Sequence, residues 1–549
     1  MGNYNGDLIF LSEHYSRAPL NIFYFNGESY QMNQVYSLSE LADNLVPFTA
    51  HQVMSSFIWC NNDVRDEEKL QKSCSYIISP GSVAPSKVFY AERYGGSGIQ
   101  RNGGGARCGF DGRYQIKGIG ANPLVGQGTD GRHSNGALGA VHAMYEALWG
   151  DVLAQILPYG AVRTQAVLLT NVYSDKAYDI TKRKSRRALM IREPVVRPAH
   201  FERAPYFKPQ QKYATSLIHD AQRVRSVIRM LPENLPVPEG GQSEDAKSNP
   251  RIYCIEGLCE LARREAWQMA FCRTRFLRLT TSPSNIAMDG RLMDFNGLSC
   301  LFPGNYPNDF GQQLRLNELM KEPMVLQQGL ADLCLYLGKY SFDHEFTLVA
   351  RQEIEFTFQK TFREACYYCY LELLGIPVEL LPKEDIPDVL KQLVDSFIVL
   401  LNNQCYILFH QVSDKKDDSP LQKMAIELAR CSCDPTYSSV NQAKNDVNFT
   451  NALRYFTQGI QWLIQTCTKD GNNMDIKSLL KNMEQHIRKR LQPRKCLEKM
   501  YLYETIAELL EEHSDNHCYL QESFSVMGER MQFFSKEAFG HISPFRFTL

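Results

Sequence analysis

Fourteen of the chain's 35 glycines fall in the 42 residues from Gly95 to Gly136, where average composition gives about three. Glycine costs conformational entropy wherever it is used, so this density constrains what the segment can become. Turns that need a positive φ are one reason for it, and backbone that lies close to a ligand is the other. The stretch opens with YGGSGIQRNGGGARCG (Tyr94–Gly109), passes YQIKGIG (Tyr114–Gly120) and TDGR (Thr129–Arg132), and ends in GALGAVHAMYEALW (Gly136–Trp149). It is neither polar throughout nor of low complexity, which disfavours a loose surface loop. A glycine-rich loop, a lysine inside a strand and then a helix is how a backbone cradle and one cation meet a nucleotide's phosphates.

Length, charge and cysteine usage bound the protein around that segment. A length of 549 residues exceeds one simple core, so two or more lobes are expected. A net charge of −1 provides no field that recruits nucleic acid or an acidic membrane surface. Sixteen irregularly spaced cysteines form no disulfide framework, and MGNYNGDLIFLSEHYSR is not a secretory signal, so a reducing cytoplasm is the expected compartment. The longest apolar stretches, Phe397–Leu401 and Cys405–Phe409, are interrupted by Asn402, Asn403 and Gln404, and no span is expected.

Along the chain, residues up to about 90 are aromatic-rich and irregular, with one helix expected at Ser37–Asn44. KVFYAERY and RYQIKG alternate as strands do. A helix is expected at about 136–156, with Leu138, Val141, Tyr145, Leu148 and Leu153 on one face. Arg163–Tyr173 and Ala188–Val196 are strand candidates, which gives a small α+β lobe. Beyond Phe207 the pattern is helical. Helices are expected at Ala214–Leu231, Ile252–Leu277, Ile476–Leu491 and Leu497–Leu510, with a polar linker over Pro232–Pro250 and helices continuing to about 512.

Three clusters carry candidate chemistry. Lys117 lies in an apolar strand pattern, a place a lysine takes to neutralise phosphate or to pair with a carboxylate such as Glu146; an edge-strand lysine facing water is the alternative. Arg192 and Arg197 follow a buried-looking strand and could clamp phosphate oxygens, or simply sit at the surface. Asn285 and Asp294 flank a tight hairpin, and an amide oxygen plus a carboxylate suits Mg²⁺, although loops also use Asn and Asp for turn chemistry alone. Glycine loop, lysine, helix glutamate, paired arginines, then Asn and Asp is the order a two-lobed phosphotransferase needs.

These motifs resemble the selenoprotein O family, kinase-fold proteins that transfer AMP from ATP to protein hydroxyls. The resemblance covers about residues 88–310. YQIKGIGANPL…TDGR is similar to the family's LKGAG-x-x-P…DGR block and places its nucleotide-contacting lysine on Lys117. LMIREPVVRPAHFE is similar to LMRVAPSHLRFGHFE and places phosphate-binding arginines on Arg192 and Arg197. TTSPSNIAMDGRLMDFNG resembles the block ending N-T-D-N…D-Y-G, so its metal ligands fall on Asn285 and Asp294. The resemblance implies an α+β, two-lobed protein-kinase-like fold, with a small mixed N-lobe and a large helical C-lobe extended by additional helices. The chain would divide into an N-terminal extension packing on the N-lobe (1–87), the N-lobe (88–207), the catalytic part of the C-lobe (208–310) and a helical C-terminal region (311–549). ATP with Mg²⁺ or Mn²⁺ is implied as cofactor. Gly103, Gly104, Gly105, Arg107, Asp130, Gly131, Arg132 and Glu146 join Lys117, Arg192 and Arg197 as candidate nucleotide contacts.

The chain departs from the family at points that bear on turnover. Thr280 stands where a protein kinase has its base Asp, Ser284 stands where the family has an Asp, and Asn296 replaces the glycine of the metal motif. Counted from DGR, the family's helix glutamate falls on Val141, and Glu146 serves if the helix shifts by about a turn. Lys117, Asp294 and Ser284 are the catalytic candidates. The leading expectation is a nucleotidyltransferase that moves AMP, or a phosphoryl group, onto a protein or peptide acceptor. A second is an ATP-using subunit that activates a peptide carboxylate, as in microcin maturation beside an acyltransferase-like partner. A third is a nucleotide-binding scaffold without turnover. KRKSRR (Lys182–Arg187) reads as a solvated hairpin tip and Cys366–Cys369 as helix core, and neither nucleic acid nor a membrane is an expected partner.

Overall fold

The computed structural model describes residues 38–96, 99, 101–131, 134–174, 185–302, 310–382, 385–410, 419–434, 446–469, 475–540 and 542. The first 37 residues lie outside this set, and the described residues belong to the unit Tyr36–Leu549. The expected helix at Ser37–Asn44 is instead two 3-10 turns, Leu38–Glu40 and Ala42–Asn44, because Leu41 between them leaves helical geometry. Then come strands β1 (Leu45–Gln52) and β2 (Ser55–Cys60), helix α1 (Glu67–Cys74) and strands β3 (Tyr76–Ile77), β4 (Ser86–Glu92), β5 (Cys108–Phe110) and β6 (Gln115–Lys117). Helix α2 (Ala140–Ile156) and strands β7 (Thr164–Ser174) and β8 (Ser185–Arg192) complete the mixed region.

These strands form one antiparallel eight-stranded sheet in the order β2-β7-β8-β6-β5-β4-β1-β3. Residues 45–77 therefore supply three strands of the sheet itself, where an added extension is expected. Side chains alternate across a pleated strand, and here the two faces meet two different cores. Leu189 and Ile191 of β8 and Ile116 of β6 pack on one side. Ala188 and Met190 pack on the other, against α2. Lys117 pairs with Met190 and Gln115 with Arg192, so all four face α2.

Helix α2 is buried nearly throughout, from Ala140 to Ile156. A helix apolar on every side must be enclosed on every side. The sheet covers one flank, and two helices near the C-terminus cover another.

After β8 the chain is helical. The single helix expected over Ala214–Leu231 is broken into short pieces, of which α3 (Asp220–Val227) is the longest. The break falls at His219, and Asp220 Oδ2 accepts from the Ala204 amide at 2.8 Å. The expected linker is packed: Leu235 and Ala246 lie in the main core. Helix α4 (Pro250–Thr274) starts where Asn249 accepts from the Arg251 amide and Pro250 opens the first turn. Strands β9 (Leu277–Arg278) and β10 (Ser299–Cys300) pair across an intervening loop. The remaining helices are α5 (Phe310–Tyr340), α6 (His344–Leu373), α7 (Asp388–His410), α8 (Pro420–Cys433), α9 (Val447–Lys469), α10 (Ile476–Leu491), α11 (Lys499–Glu512) and α12 (His517–Phe539). α6 packs on α4 and α5, α9 on α7, and α10 on α8. Then α11 and α12 return to α2, and α12 also covers β2. One continuous core runs from Leu38 to Ile542. Among the described residues no helix is long and apolar enough to cross a membrane.

Candidate functional site

Strand β6 delivers Lys117, which is 1% exposed, to the face of the sheet that meets α2. Its ammonium donates to Glu146 Oε2 at 2.6 Å and to Asp294 Oδ1 at 3.0 Å. Val141, the position counted from the family's spacing, is a core residue, and Glu146 carries the pair. Arg192, across from Gln115 on β8, places Nη1 3.5 Å from Glu146 Oε1. Its Nε donates to Gln115 Oε1, and Gln115 in turn donates to Glu92 at the end of β4. His200 Nδ1 accepts from the Arg197 amide at 3.0 Å and turns Nε2 towards Glu92, 3.6 Å away.

Asp294 comes from the hairpin that follows α4. Ile286 bridges Leu292, and the Met293 amide donates to Asn285 O at 3.0 Å, so Asn285 and Asp294 leave adjacent positions of one tight turn-back. Asp294 has a φ of 64°, a conformation Asp tolerates better than most residues. Burial pushes its carboxyl up, but Lys117, Arg107 and Arg192 outweigh that and hold it well below the usual range. Arg107 acts on Asp294 by its charge. Among the described residues no carboxylate forms an ion pair with it, so its guanidinium is open to a ligand's charge. Arg197 is committed elsewhere: it stacks on Tyr94 at 4.9 Å and donates to Ser284 O at 3.1 Å.

Positive φ, one of the two expected reasons for the glycine density, holds at Gly96, Gly104, Gly112, Gly118, Gly120, Gly128 and Gly136. Gly103 donates its amide to Leu124 O and Gly105 to Glu92 O, both at 2.9 Å, so these two amides are not free to cradle an anion. Gly104 has a φ of 136°, and a Cβ there would lie 2.2 Å from Glu92 O. Gly95 and Gly96 donate to Ala199 O and Arg203 O, at 2.8 and 3.0 Å. Close backbone approach accounts for Gly104 and for Gly95, where a Cβ would lie 2.1 Å from Arg203 O. Asp130 and Gly131 sit on an exposed turn, and Lys117 bonds to neither; Arg132 lies outside the described residues.

Where the resemblance implies a base carboxylate, the chain has hydroxyls. Ser284 is buried, and its Oγ lies 3.0 Å from Ser282 Oγ. Thr280 has a φ of 57°, strained for a β-branched residue. The loop is held from below by Glu322 of α5, which accepts from the amides of Leu279, at 3.3 Å, and Thr280. Burial pushes Glu322 up to about 7 against those donors.

Several residues of the site carry no sequence signal strong enough to find them. Asn296 donates Nδ2 to Glu146 Oε2, the oxygen that also holds Lys117, and Lys499 of α11 donates to Asn296 O at 2.5 Å. Gln115 and Glu92 are visible in the sequence only as polar positions in alternating strands, and Asn296 only as a departure from the metal motif. Nothing marks Lys499 or Glu322.

Among the described residues no three His, Cys, Asp or Glu side chains are grouped to hold a metal ion. A divalent ion here would draw on the Asp294 carboxylate, the Asn285 amide oxygen and a ligand's own oxygens, a donor set that suits Mg²⁺. Asn296 Oδ1, buried and without a hydrogen-bond partner among the described residues, is a further hard oxygen beside the same loop. Lys117, Arg107 and Arg192 stand against Glu146 and Asp294, an arrangement able to neutralise a polyanion held beside the Asp294 loop. Fold and site define a mixed α+β protein in which a strand lysine, a helix glutamate and a loop aspartate converge between a sheet and a helical region. No protein-family model matches the chain, and no curated protein matches it.

Proposed function

We propose that this protein binds ATP with a divalent ion and transfers AMP, or a phosphoryl group, to a protein or peptide acceptor, on a two-lobed kinase-like fold related to the selenoprotein O family. The observation that carries this reading is the position of Lys117 Nζ, 2.6 Å from Glu146 and 3.0 Å from Asp294. A strand lysine beyond a glycine-rich loop, paired with a glutamate of the next helix and facing a metal-binding aspartate, is the arrangement protein kinases use to hold nucleotide phosphates. The run β4, β5, β6, α2, β7, β8 supplies those parts in that order.

Lys117 and Arg107 would neutralise phosphate oxygens, and Arg192 would fix Glu146 and so the lysine. Arg197 would hold the Ser284 loop rather than clamp phosphate directly. Asp294 and Asn285 would hold Mg²⁺ or Mn²⁺, which when bound supplies further neutralisation of phosphate charge. For AMP transfer, an acceptor oxygen bonds to the α-phosphorus, the bond from that phosphorus to its bridging oxygen breaks, pyrophosphate leaves and the acceptor proton passes to solvent. With Thr280, Ser282 and Ser284 in place of a carboxylate base, rate would come from positioning and charge, which phosphoryl chemistry tolerates.

Incubation with ATP labelled at the α or the γ position tests the reading. Label from the α position on protein supports AMP transfer, and label from the γ position supports phosphoryl transfer. A peptide-dependent adenylate would instead make the chain the activating subunit of a peptide-maturation complex. Bound ATP without any transfer would make it a scaffold. Asp294→Ala is expected to abolish Mg²⁺-dependent nucleotide affinity, and full affinity in that variant overturns the site.

A further inference from the structure

We infer that Lys499 is a positioning residue for the Lys117–Glu146 pair, and that the segment Lys499–Phe539 is a clamp that fixes helix α2 against the Asp294 loop. Lys499 donates to the main-chain oxygen of Asn296 at 2.5 Å, and the side chain of the same Asn296 donates to Glu146 Oε2. Helix α11 thus reaches the glutamate through one intervening residue. A second path runs beside it. Tyr503, one turn along α11, stacks on Tyr145 at 4.7 Å, and Tyr145 is the chain neighbour of Glu146. Tyr145 Oη donates to Leu298 O at 2.8 Å, which ties α2 to the loop that carries Asp294. Lys499 Nζ lies 5.5 Å from both aromatic rings and completes the packing.

The far end of α2 is held by α12. Gln532 donates to Asp151, and a Cβ on Gly528 would lie 3.4 Å from Leu148 Cδ2, so the two helices touch. A helix bearing one half of a buried ion pair must be held to within a fraction of an ångström for the pair to form. Strands β7 and β8 cannot supply that restraint on the side of α2 that faces away from them, and α11 and α12 pack on α2 as well.

The clamp acts on the Lys117–Glu146 geometry and rests on the proposed function only in its effect on ATP, so its test has a readout that needs no nucleotide. Backbone amide exchange of the full chain is measured along residues 140–156 for the unchanged protein, Lys499→Met and Lys499→Arg. Loss of a charged hydrogen bond predicts about tenfold faster exchange in this segment for Lys499→Met, unchanged exchange in α4, and recovery in Lys499→Arg. Mg²⁺-dependent ATP affinity should fall with it and return with Lys499→Arg. Unchanged exchange along α2 overturns the inference, and so does acceleration spread evenly over the whole chain. If the unchanged protein does not bind ATP, the proposed function fails while the exchange result still decides the clamp. Should Lys499→Met not fold, Lys499→Ala, which also lacks the donor, replaces it with the same expected outcomes.

Discussion

Lys117 and Asp294 stand 177 positions apart in the chain and meet at 3.0 Å. The contact is assembled from two unrelated local decisions. One is the alternation of β6, which turns Lys117 away from Ile116 and towards α2. The other is the positive φ of Asp294, which turns its carboxylate back towards the sheet.

Lys117 and Glu146 invite a double-mutant cycle. Lys117→Met leaves Glu146 with Arg192 and Asn296 but leaves Asp294 short of its nearest cation, and about 3 kcal/mol of stability is expected to go. Glu146→Gln should cost a similar amount. Because both act on one buried contact, the double variant is expected to fall short of the sum by about 1–3 kcal/mol in urea unfolding. Strict additivity would mean that the two groups do not interact.

Glycine substitutions separate packing from ligand contact. Gly104→Ala forces a Cβ to 2.2 Å from Glu92 O at a φ of 136° and is expected to cost about 2 kcal/mol or more in thermal unfolding. Gly131 has open space around its Cβ position, so Gly131→Ala should change stability by no more than about 0.5 kcal/mol. A loss of ATP affinity in that variant with stability intact would move Gly131 into the binding site.

Glu202 predicts a pH dependence. Burial and then Asp332 push its carboxyl up to about 8, and neither oxygen has a hydrogen-bond partner among the described residues. The folded state therefore favours the protonated form. Its contribution is complete below the ordinary value of 4.5 and is lost as pH rises through about 8. The melting temperature should drop across that window, from about 4.5 to about 8, and Glu202→Gln should flatten the drop. An equal drop in the variant removes Glu202 as its origin.

Glu372 predicts the opposite sign. Burial pushes it up, but Arg275, His486 and Arg490 outweigh burial and hold it well below the usual range. It accepts from Arg490 Nη2 at 2.6 Å and from Arg275, whose Nη1 also reaches Cys369 O at 2.7 Å. Its contribution is complete above about 4.5 and is lost as pH falls from there. Glu372→Ala leaves two cations facing each other and should cost about 3–5 kcal/mol, with little residual sensitivity to acid at this site. A cost near zero in urea unfolding at neutral pH would mean that the cluster does not hold.

Some of this is legible in the residues, and the rest is hidden for physical reasons. Strong periodicity shows a helix expected at about 136–156 and found at Ala140–Ile156, and the helix Ile476–Leu491, whose bounds match the structure. It also shows strands expected at Arg163–Tyr173 and Ala188–Val196 and found at Thr164–Ser174 and Ser185–Arg192. The lysine and its glutamate stand out because charges are rare in apolar runs. Strand β1 does not. Pro47 interrupts it and is tolerated because β1 meets β3 only at His51 and Gln52, which leaves the flank beside Pro47 unpaired among the described residues. Helix α12 is hidden because HCYLQESFSVMGERMQFF mixes polar residues and Gly528 into a pattern that covers both β2 and α2. Glycine density reads as turns or a ligand cradle, and it does not tell that Gly95 and Gly104 serve close approach of backbone while the amides of Gly103 and Gly105 are used within the fold. Lys499 makes a main-chain contact, and nothing in the residues around it reports which carbonyl it will find.

The return of α11 and α12 to α2 sets a timetable for assembly. On the ribosome, Lys117, Glu146 and Asp294 all emerge long before residue 499, so the half of the chain that carries them must wait for its last helices before its central contact is braced. Ligation of a separately made C-terminal fragment onto a chain ending near residue 490 would be a way to watch that contact close.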